Sequence, residues 1–312
     1  MDSRKKWTAP PGKRDNRAMS NIEVSTNHRL TNGPAAAEAV PWGRIFLGDA
    51  LGINGGLPSE CLDFIYVDPP FFTNREHVGN GERSKARGDL HHSAADEPWK
   101  FEDRWQGGLL EYLEWLEARL RAMRRLLRPR GVFLLHLDWH AVHYAKVLCD
   151  AIFGPERFEN ELIWYYQTGG ASRDRFSRKH DNILMYSNGD GFYFDGRAVA
   201  IPRTPKAMKR ARSGRGARIA ADDTHKNPDD VIVVPALNPM AKERNGYPTQ
   251  KPVALLEMLI TALCPPDGAV GDFFCGSGTT LVAAHRLGRR WVGGDQNPAA
   301  VTMARARTSR LE

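Results

Sequence analysis

Asp68-Pro69-Pro70-Phe71 closes the apolar run "CLDFIYV". A carboxylate, two prolines and an aromatic ring at the end of a buried strand suit neither water nor an apolar core. Together they could recognise an amine. An exocyclic amine on a nucleobase is a poor nucleophile, because its lone pair is delocalised into the ring. Two acceptors on its hydrogens favour a pyramidal nitrogen and free that lone pair. The Asp68 carboxylate supplies one acceptor. The Pro69 carbonyl supplies the other, since a rigid proline turn holds it out of the sheet ladder. Pro70 fixes the turn further, and Phe71 offers a face for stacking. As the nitrogen becomes cationic, Asp68 stabilises the charge where it develops. On four residues alone, a strand-end turn with a capping Asp is the simpler reading.

A second constellation changes that balance. Asp272-Phe273-Phe274-Cys275-Gly276-Ser277-Gly278-Thr279-Thr280 joins a strand-like run to a helix-like one. Gly276 and Gly278 let the backbone approach a ligand closely. A dinucleotide fingerprint would need a third glycine where Leu281 stands, so a nicotinamide site is disfavoured. Asp295 ends the next strand, where an acid accepts hydrogen bonds from two ribose hydroxyls. The pair describes a nucleoside site with no pyrophosphate to hold. S-adenosylmethionine has a ribose and an adenine, no phosphate, and an amino-acid end that needs polar partners.

"DPPF", "DFFCGSGTT" and "GYPTQKP" (residues 246–252) together resemble the amino-group DNA methyltransferases, which methylate adenine N6 or cytosine N4 from S-adenosylmethionine. The resemblance covers most of residues 41–312. The catalytic motif precedes the cofactor loop, the permuted order of the family's beta group. The resemblance implies a Rossmann-like S-adenosylmethionine-dependent fold with an inserted target-recognition region. It places Asp68, Pro69, Pro70 and Phe71 at the target base. It places Asp272, Phe274, Gly276, Ser277, Gly278, Thr279 and Thr280 around the cofactor and Asp295 at the ribose. Asp49 and Lys251 become cofactor-pocket candidates. His180, in "FSRKHDNILMY", becomes a candidate near the base. Phe71 stands where the family usually has tyrosine, and Phe273 where it usually has proline. An acidic first residue in the permuted group leans toward adenine N6, with cytosine N4 as the alternative. Two more distant readings are a non-catalytic DNA-binding regulator and methylation of RNA or of a protein amide. The resemblance further allows a homodimer, a cognate restriction endonuclease and a cytoplasmic location in a prokaryote or phage.

Charge points the same way. The chain carries a formal net charge of +7. Arg203, Lys206, Lys209, Arg210, Arg212, Arg215 and Arg218 crowd into "RTPKAMKRARSGRGAR" without an acid. Such a run is either a solvated loop or a surface that tracks the phosphates of double-stranded DNA. The four cysteines are scattered and form no C-x-x-C pair, which disfavours zinc and disulfides and suits a reduced, intracellular protein. His91-His92 lacks partners at metal-ligand spacing. No apolar run approaches membrane-spanning length, and the polar N-terminus has no signal-like core.

The elements that must position these groups alternate. "GRIFLGDA" and "CLDFIYVD" read as strands ending at Asp49 and Asp68. Leu109, Leu113, Leu116, Leu120, Met123 and Leu127 recur at helical spacing, with Pro129 and Gly131 as the stop. Strand "GVFLLHLD", helix "AVHYAKVLCDAIFG" and strands "NELIWYY" and "NILMYS" follow. After helix "PVALLEMLITALC" the chain reads strand, glycine turn, helix, strand, helix to its end. This alternation predicts an α/β fold with a mostly parallel sheet and helices on both faces. The expected organisation is a flexible arm over 1–40, a catalytic half over 41–188, a target-recognition insertion over 189–245, and a cofactor half over 246–312. Residues 73–107 read as one long polar loop.

Overall fold

Strands two residues in period and helices 3.6 in period build one large mixed sheet with helices packed on it, together with two two-stranded sheets. The computed structural model describes residues 40–73, 75–79, 99–167, 171–213, 223–238 and 240–311. Most of the expected arm, His91-His92, Arg215 and Arg218 lie outside the described residues. β1 (Arg44–Leu47), α1 (Ala50–Gly55) and β2 (Leu62–Val67) come first. β3 (Arg75–Gly79), β4 (Trp99–Asp103), α2 (Gly108–Leu126), β5 (Leu127–Leu137) and α3 (Val142–Phe153) follow. β6 (Phe158–Tyr165) and β7 (His180–Ser187) lead to β8 (Ile201–Pro202), α4 (Pro205–Arg212), β9 (His225–Lys226) and β10 (Val231–Val233). α5 (Val253–Leu263), β11 (Ala269–Asp272), α6 (Thr279–Arg286), β12 (Arg290–Asp295) and α7 (Pro298–Thr308) complete the order.

The main sheet has eight strands in the order β1-β12-β11-β2-β5-β7-β6-β10. All neighbours are parallel except β7, which runs antiparallel to β5 and β6. Alternate side chains feed two cores. Phe64, Tyr66, Val132 and Leu134 pack on the face covered by α5, α6 and α7. Ile65, Val67, Phe133, Leu135 and Leu137 pack on the face covered by α2 and α3. This period-two split is what a sheet covered on both sides requires. It also fixes where Asp68 sits, two residues beyond Tyr66 at the carboxyl edge.

Some expectations shift. The leucine helix ends at Leu126, and Leu127 already belongs to β5. Pro129 and Gly131 lie in that strand, where the register between β2 and β5 slips. The slip spares the proline a ladder donor it does not have. The polar stretch 73–107 is not all loop: β3 and β4 pair antiparallel, from Arg75 opposite Asp103 to Gly79 opposite Trp99. Backbone pairing needs no apolar alternation, so composition alone hid it. The segment 189–245 holds a helix, α4, capped by Thr204 Oγ1 on Ala207 N at 3.2 Å. β10, in that same segment, extends the main sheet by pairing with β6.

Candidate active site

The first, second and third strands counted from β12 inward deliver one acid each to the carboxyl edge. Asp295 ends β12, Asp272 ends β11, and Asp68 follows β2 directly. A cavity of about 480 Å³ opens between them. Its walls include Tyr66, Asp68–Phe71, Tyr247, Lys251, Phe274, Gly276, Ser277, Thr279 and Thr280. Ligands in open α/β sheets bind at this edge.

Asp68 is held asymmetrically. Its Oδ2 accepts from Lys251 Nζ at 2.6 Å, and both side chains are largely buried. Its Oδ1 is buried and meets no partner among the described residues. A buried acceptor without a donor is costly unless a ligand supplies one. Lys251 Nζ also stands 5.1 Å from the Phe71 ring centroid. The lysine expected in the cofactor pocket therefore touches the catalytic-motif acid itself.

The turn after Asp68 is fastened from behind. Tyr112, on α2, donates its hydroxyl to the Pro70 carbonyl at 2.8 Å. Asp103, almost wholly buried, accepts from Phe72 N at 3.0 Å, Thr73 N at 2.6 Å, Thr73 Oγ1 at 2.7 Å and Trp105 Nε1 at 3.0 Å. Phe72 adopts φ +60, a left-handed conformation unusual for a bulky residue. The surrounding bonds hold that strain in place. One face of Phe71 rests on His136, with centroids 5.9 Å apart and planes 23° off parallel. His136 is fully buried, 2.5 Å by Nδ1 from the Tyr66 hydroxyl and 3.3 Å by Nε2 from Asp181 Oδ2. Burial pushes the Asp181 carboxyl up, but the His136 hydrogen bond and nearby cations outweigh it and hold the group below the usual range.

Across the cavity, the glycine turn is shaped by its neighbours. Gly276 has φ +48, and a Cβ there would stand 3.0 Å from the Tyr247 ring. Gly278 has φ +78, and a Cβ there would meet Ala304 Cβ of α7 at 2.8 Å. Helix packing and the positive φ both demand glycine at 278, and the residue does not line the cavity. Asp295 accepts from Gly276 N and Asn297 N, both at 2.8 Å. Burial pushes its carboxyl up, against those two bonds. Burial pushes Asp272 up to about 7, opposed by hydrogen bonds from Thr280 and Phe274 N and reinforced by the charges of Asp68 and Asp295. Arg307 Nη1 ties the turn to α7 through the Ser277 carbonyl at 2.7 Å. Phe273, in the family's proline position, is buried in the core.

Other expected residues sit elsewhere. Asp49 is not brought into the cavity lining. Its carboxylate caps α1 on Leu51 N at 2.8 Å and pairs with Arg119 at 2.5 Å. His180 is exposed at the start of β7, opposite Tyr165, and does not line the cavity. Arg203 pairs with Asp223 at 2.7 Å. Lys206, Lys209, Arg210 and Arg212 are exposed on α4. The four cysteines are buried and unpaired, and no metal-ligating cluster occurs among the described residues. No helix among them is long and apolar enough to cross a membrane. Asp103, Tyr112 and Asp181 had no spacing signal in the sequence. His136 had a weak one, as a lone ring nitrogen pair inside an apolar strand.

Comparison with known proteins bears on the family and the fold. Residues 62–306 match the DNA methylase family. The chain is 27% identical over 261 residues to the type II methyltransferase M.ScaI of Streptomyces caespitosus, covering 80% of this chain and 75% of that one. It is 24% identical over 261 residues to the DNA adenine methyltransferase YhdJ of Escherichia coli K12, covering 83% and 80%. Among solved structures, the cytosine-N4-specific PvuII DNA methyltransferase superposes with a TM-score of 0.55 at 17% identity, over 86% of this chain and 91% of that one. TTHA0409 of Thermus thermophilus, solved with S-adenosyl-L-methionine, superposes with a TM-score of 0.52 at 21% identity, over 86% and 93%.

Proposed function

Because the chain belongs to the DNA methylase family of N6/N4 amino-methyltransferases, we propose that it methylates the N6 amine of an adenine flipped out of double-stranded DNA. The observation that carries this reading is Asp68, with one carboxylate oxygen held by Lys251 and the other buried without a donor. A base amine is a donor of the right kind for that second oxygen.

The cofactor is S-adenosylmethionine, and the cavity residues fit it. The molecule carries a cationic sulfonium and an ammonium, and the carboxylates of Asp272 and Asp295 both line the cavity. Asp272 is pushed up to about 7 by burial, and a cation beside it relieves that penalty. Asp295 has lone pairs left after its two backbone bonds and can accept from ribose hydroxyls. Bound there, the cofactor supplies an electrophilic methyl group.

The chain's own groups prepare the amine. Asp68 Oδ1 and the Pro69 carbonyl accept its two hydrogens, and Asp68 offsets the positive charge that grows on nitrogen. Phe71, backed by His136, supplies the ring on which the base stacks. Lys251 fixes the rotamer of Asp68. Asp103 and Tyr112 hold the turn so that the acceptors keep their spacing. The exposed cations of α4, with Arg203, Arg215, Arg218 and His180 as further candidates, contact the duplex around this centre.

Adenine is favoured by the acidic first residue of the motif and by relatives such as the adenine methyltransferase YhdJ. The test is incubation with cofactor and varied-sequence DNA, digestion to nucleosides, mass spectrometry and mapping of the modified site. N6-methyladenine is the expected product. N4-methylcytosine alone would overturn the choice of base, and an unmodified pool would overturn catalysis.

A further inference from the structure

β6 ends and β7 begins at the edge that carries Asp68, because β7 runs against its neighbours. Tyr165 faces His180 across that pair, and Asn182 faces Leu137, the last residue of β5. Between the two strands, residues 171–179 read "ASRDRFSRK", with four cations and one acid. The segment is braced as a turn. Ser172 N donates to Ser177 Oγ, and Ser172 Oγ donates to Asp174 Oδ1, both at 2.8 Å. Arg175 pairs with Asp174 at 2.7 Å. The Arg178 guanidinium lies 3.6 Å from the Trp139 ring centroid, just past the end of β5. That stack ties the turn to the catalytic edge. Within this braced, cationic turn, Phe176 is 99% exposed.

A single exposed apolar residue is ordinary on any surface. This one combines full exposure, flanking guanidinium groups, and a place on the edge where a base must leave its duplex. Flipping a base costs a few kcal/mol of lost stacking and leaves a gap. An apolar side chain inserted between base steps occupies such a gap, while flanking cations hold the backbone.

We propose that this turn is a second DNA contact in which Phe176 enters the stack where the target nucleotide leaves, with Arg173 and Arg178 on the adjacent phosphates. The inference rests on the methyltransferase reading above. The partner is duplex DNA distorted at the target site, and the role of Phe176 is to hold the flipped state, not to touch the reacting atoms.

Phe176→Ala should leave the fold intact, since the ring is 99% exposed. Its single-turnover methylation is compared with that of the wild-type protein on two duplexes carrying the mapped site. One is fully paired, and the other has an abasic position opposite the target base. The expected result is a loss of about tenfold on the paired duplex and near-equal rates on the abasic one, where little unpairing remains to be done. Phe176→Trp is expected to restore the paired rate. Equal rates for Phe176→Ala and wild type on paired DNA, or equal losses on both duplexes, would sink the proposal. A wild-type protein that modifies neither duplex overturns the underlying reading and this proposal with it.

Discussion

The turn after β2 and the helix α4 are both proposed to meet DNA, yet they are built in opposite ways. The turn is anchored by a buried carboxylate, a buried tyrosine hydroxyl and a ring stacked on a buried histidine. α4 has no buried residue at all, and its cations stand in solvent. The difference matches what each is proposed to do. Aligning a lone pair with a methyl group tolerates little displacement, so its acceptors need rigid support. Neutralising phosphates needs charge within reach, and side chains free to adapt serve as well as fixed ones.

Perturbing the two regions should therefore give different signatures. The largest effect is expected from Asp68→Ala, with turnover down by roughly three orders of magnitude. Cofactor binding, followed by calorimetry, should persist. Near-normal turnover in that variant would falsify the assigned chemistry.

Asp103→Ala removes the anchor without touching the reacting groups. Leaving several buried donors unsatisfied should cost about 3 kcal/mol in denaturant unfolding. Turnover is expected to drop by about tenfold or more through misplacement of the turn, with DNA affinity nearly unchanged. A stability loss with unchanged turnover would show that the turn does not need this support.

Asp272 gives a pH-dependent effect. Its folded value of about 7 lies above the ordinary 3.8, mainly because of burial. The folded chain then holds this proton more tightly than the unfolded chain. Its stabilising contribution is full below the ordinary value and is lost as pH rises through the folded one. Asp272→Asn should thus melt higher than wild type at about pH 8 without cofactor, and the gap should narrow toward about pH 5. Ionised Asp272 favours a bound cation, so wild-type cofactor affinity should rise through about pH 7. The variant should bind more weakly on the alkaline side and lose that rise. A parallel pH profile for both proteins would contradict this role.

The smallest effect on chemistry is expected at α4. Replacing Lys206, Lys209, Arg210 and Arg212 with alanine should reduce the slope of log affinity against log salt by up to about 0.9 for each phosphate that is no longer neutralised. Turnover at saturating DNA and the melting temperature should stay close to wild type. An unchanged salt slope would remove α4 from the interface.

The site was unevenly legible before the fold was known. Asp68–Phe71 and the 272–280 turn were readable because strand ends, prolines and glycines leave local marks. Gly278 shows the limit of such marks: its local pattern fitted a ligand loop, but the close approach of Ala304 on α7, which adds a second demand for glycine there, left no local sign. Asp49 sat at a strand end as expected, yet its carboxylate pairs with Arg119 from α2 and does not line the cavity. Asp103 was one acid in a polar stretch, and nothing nearby in sequence announced that it would be buried under Phe72 and Thr73.

The sequence by itself determined the alternation of the main strands and helices outside 73–107 and 189–245, the acids at several strand ends, and the family that the motif order marks. Hydrophobic period and turn chemistry are local, so they survive without the fold. Only the tertiary structure decided that Lys251 clamps one oxygen of Asp68 and leaves the other open. It also decided that His136, Tyr112 and Asp103 back the turn from three separate elements. Those contacts join residues far apart in the chain, and which of them meet depends on strand order and helix packing.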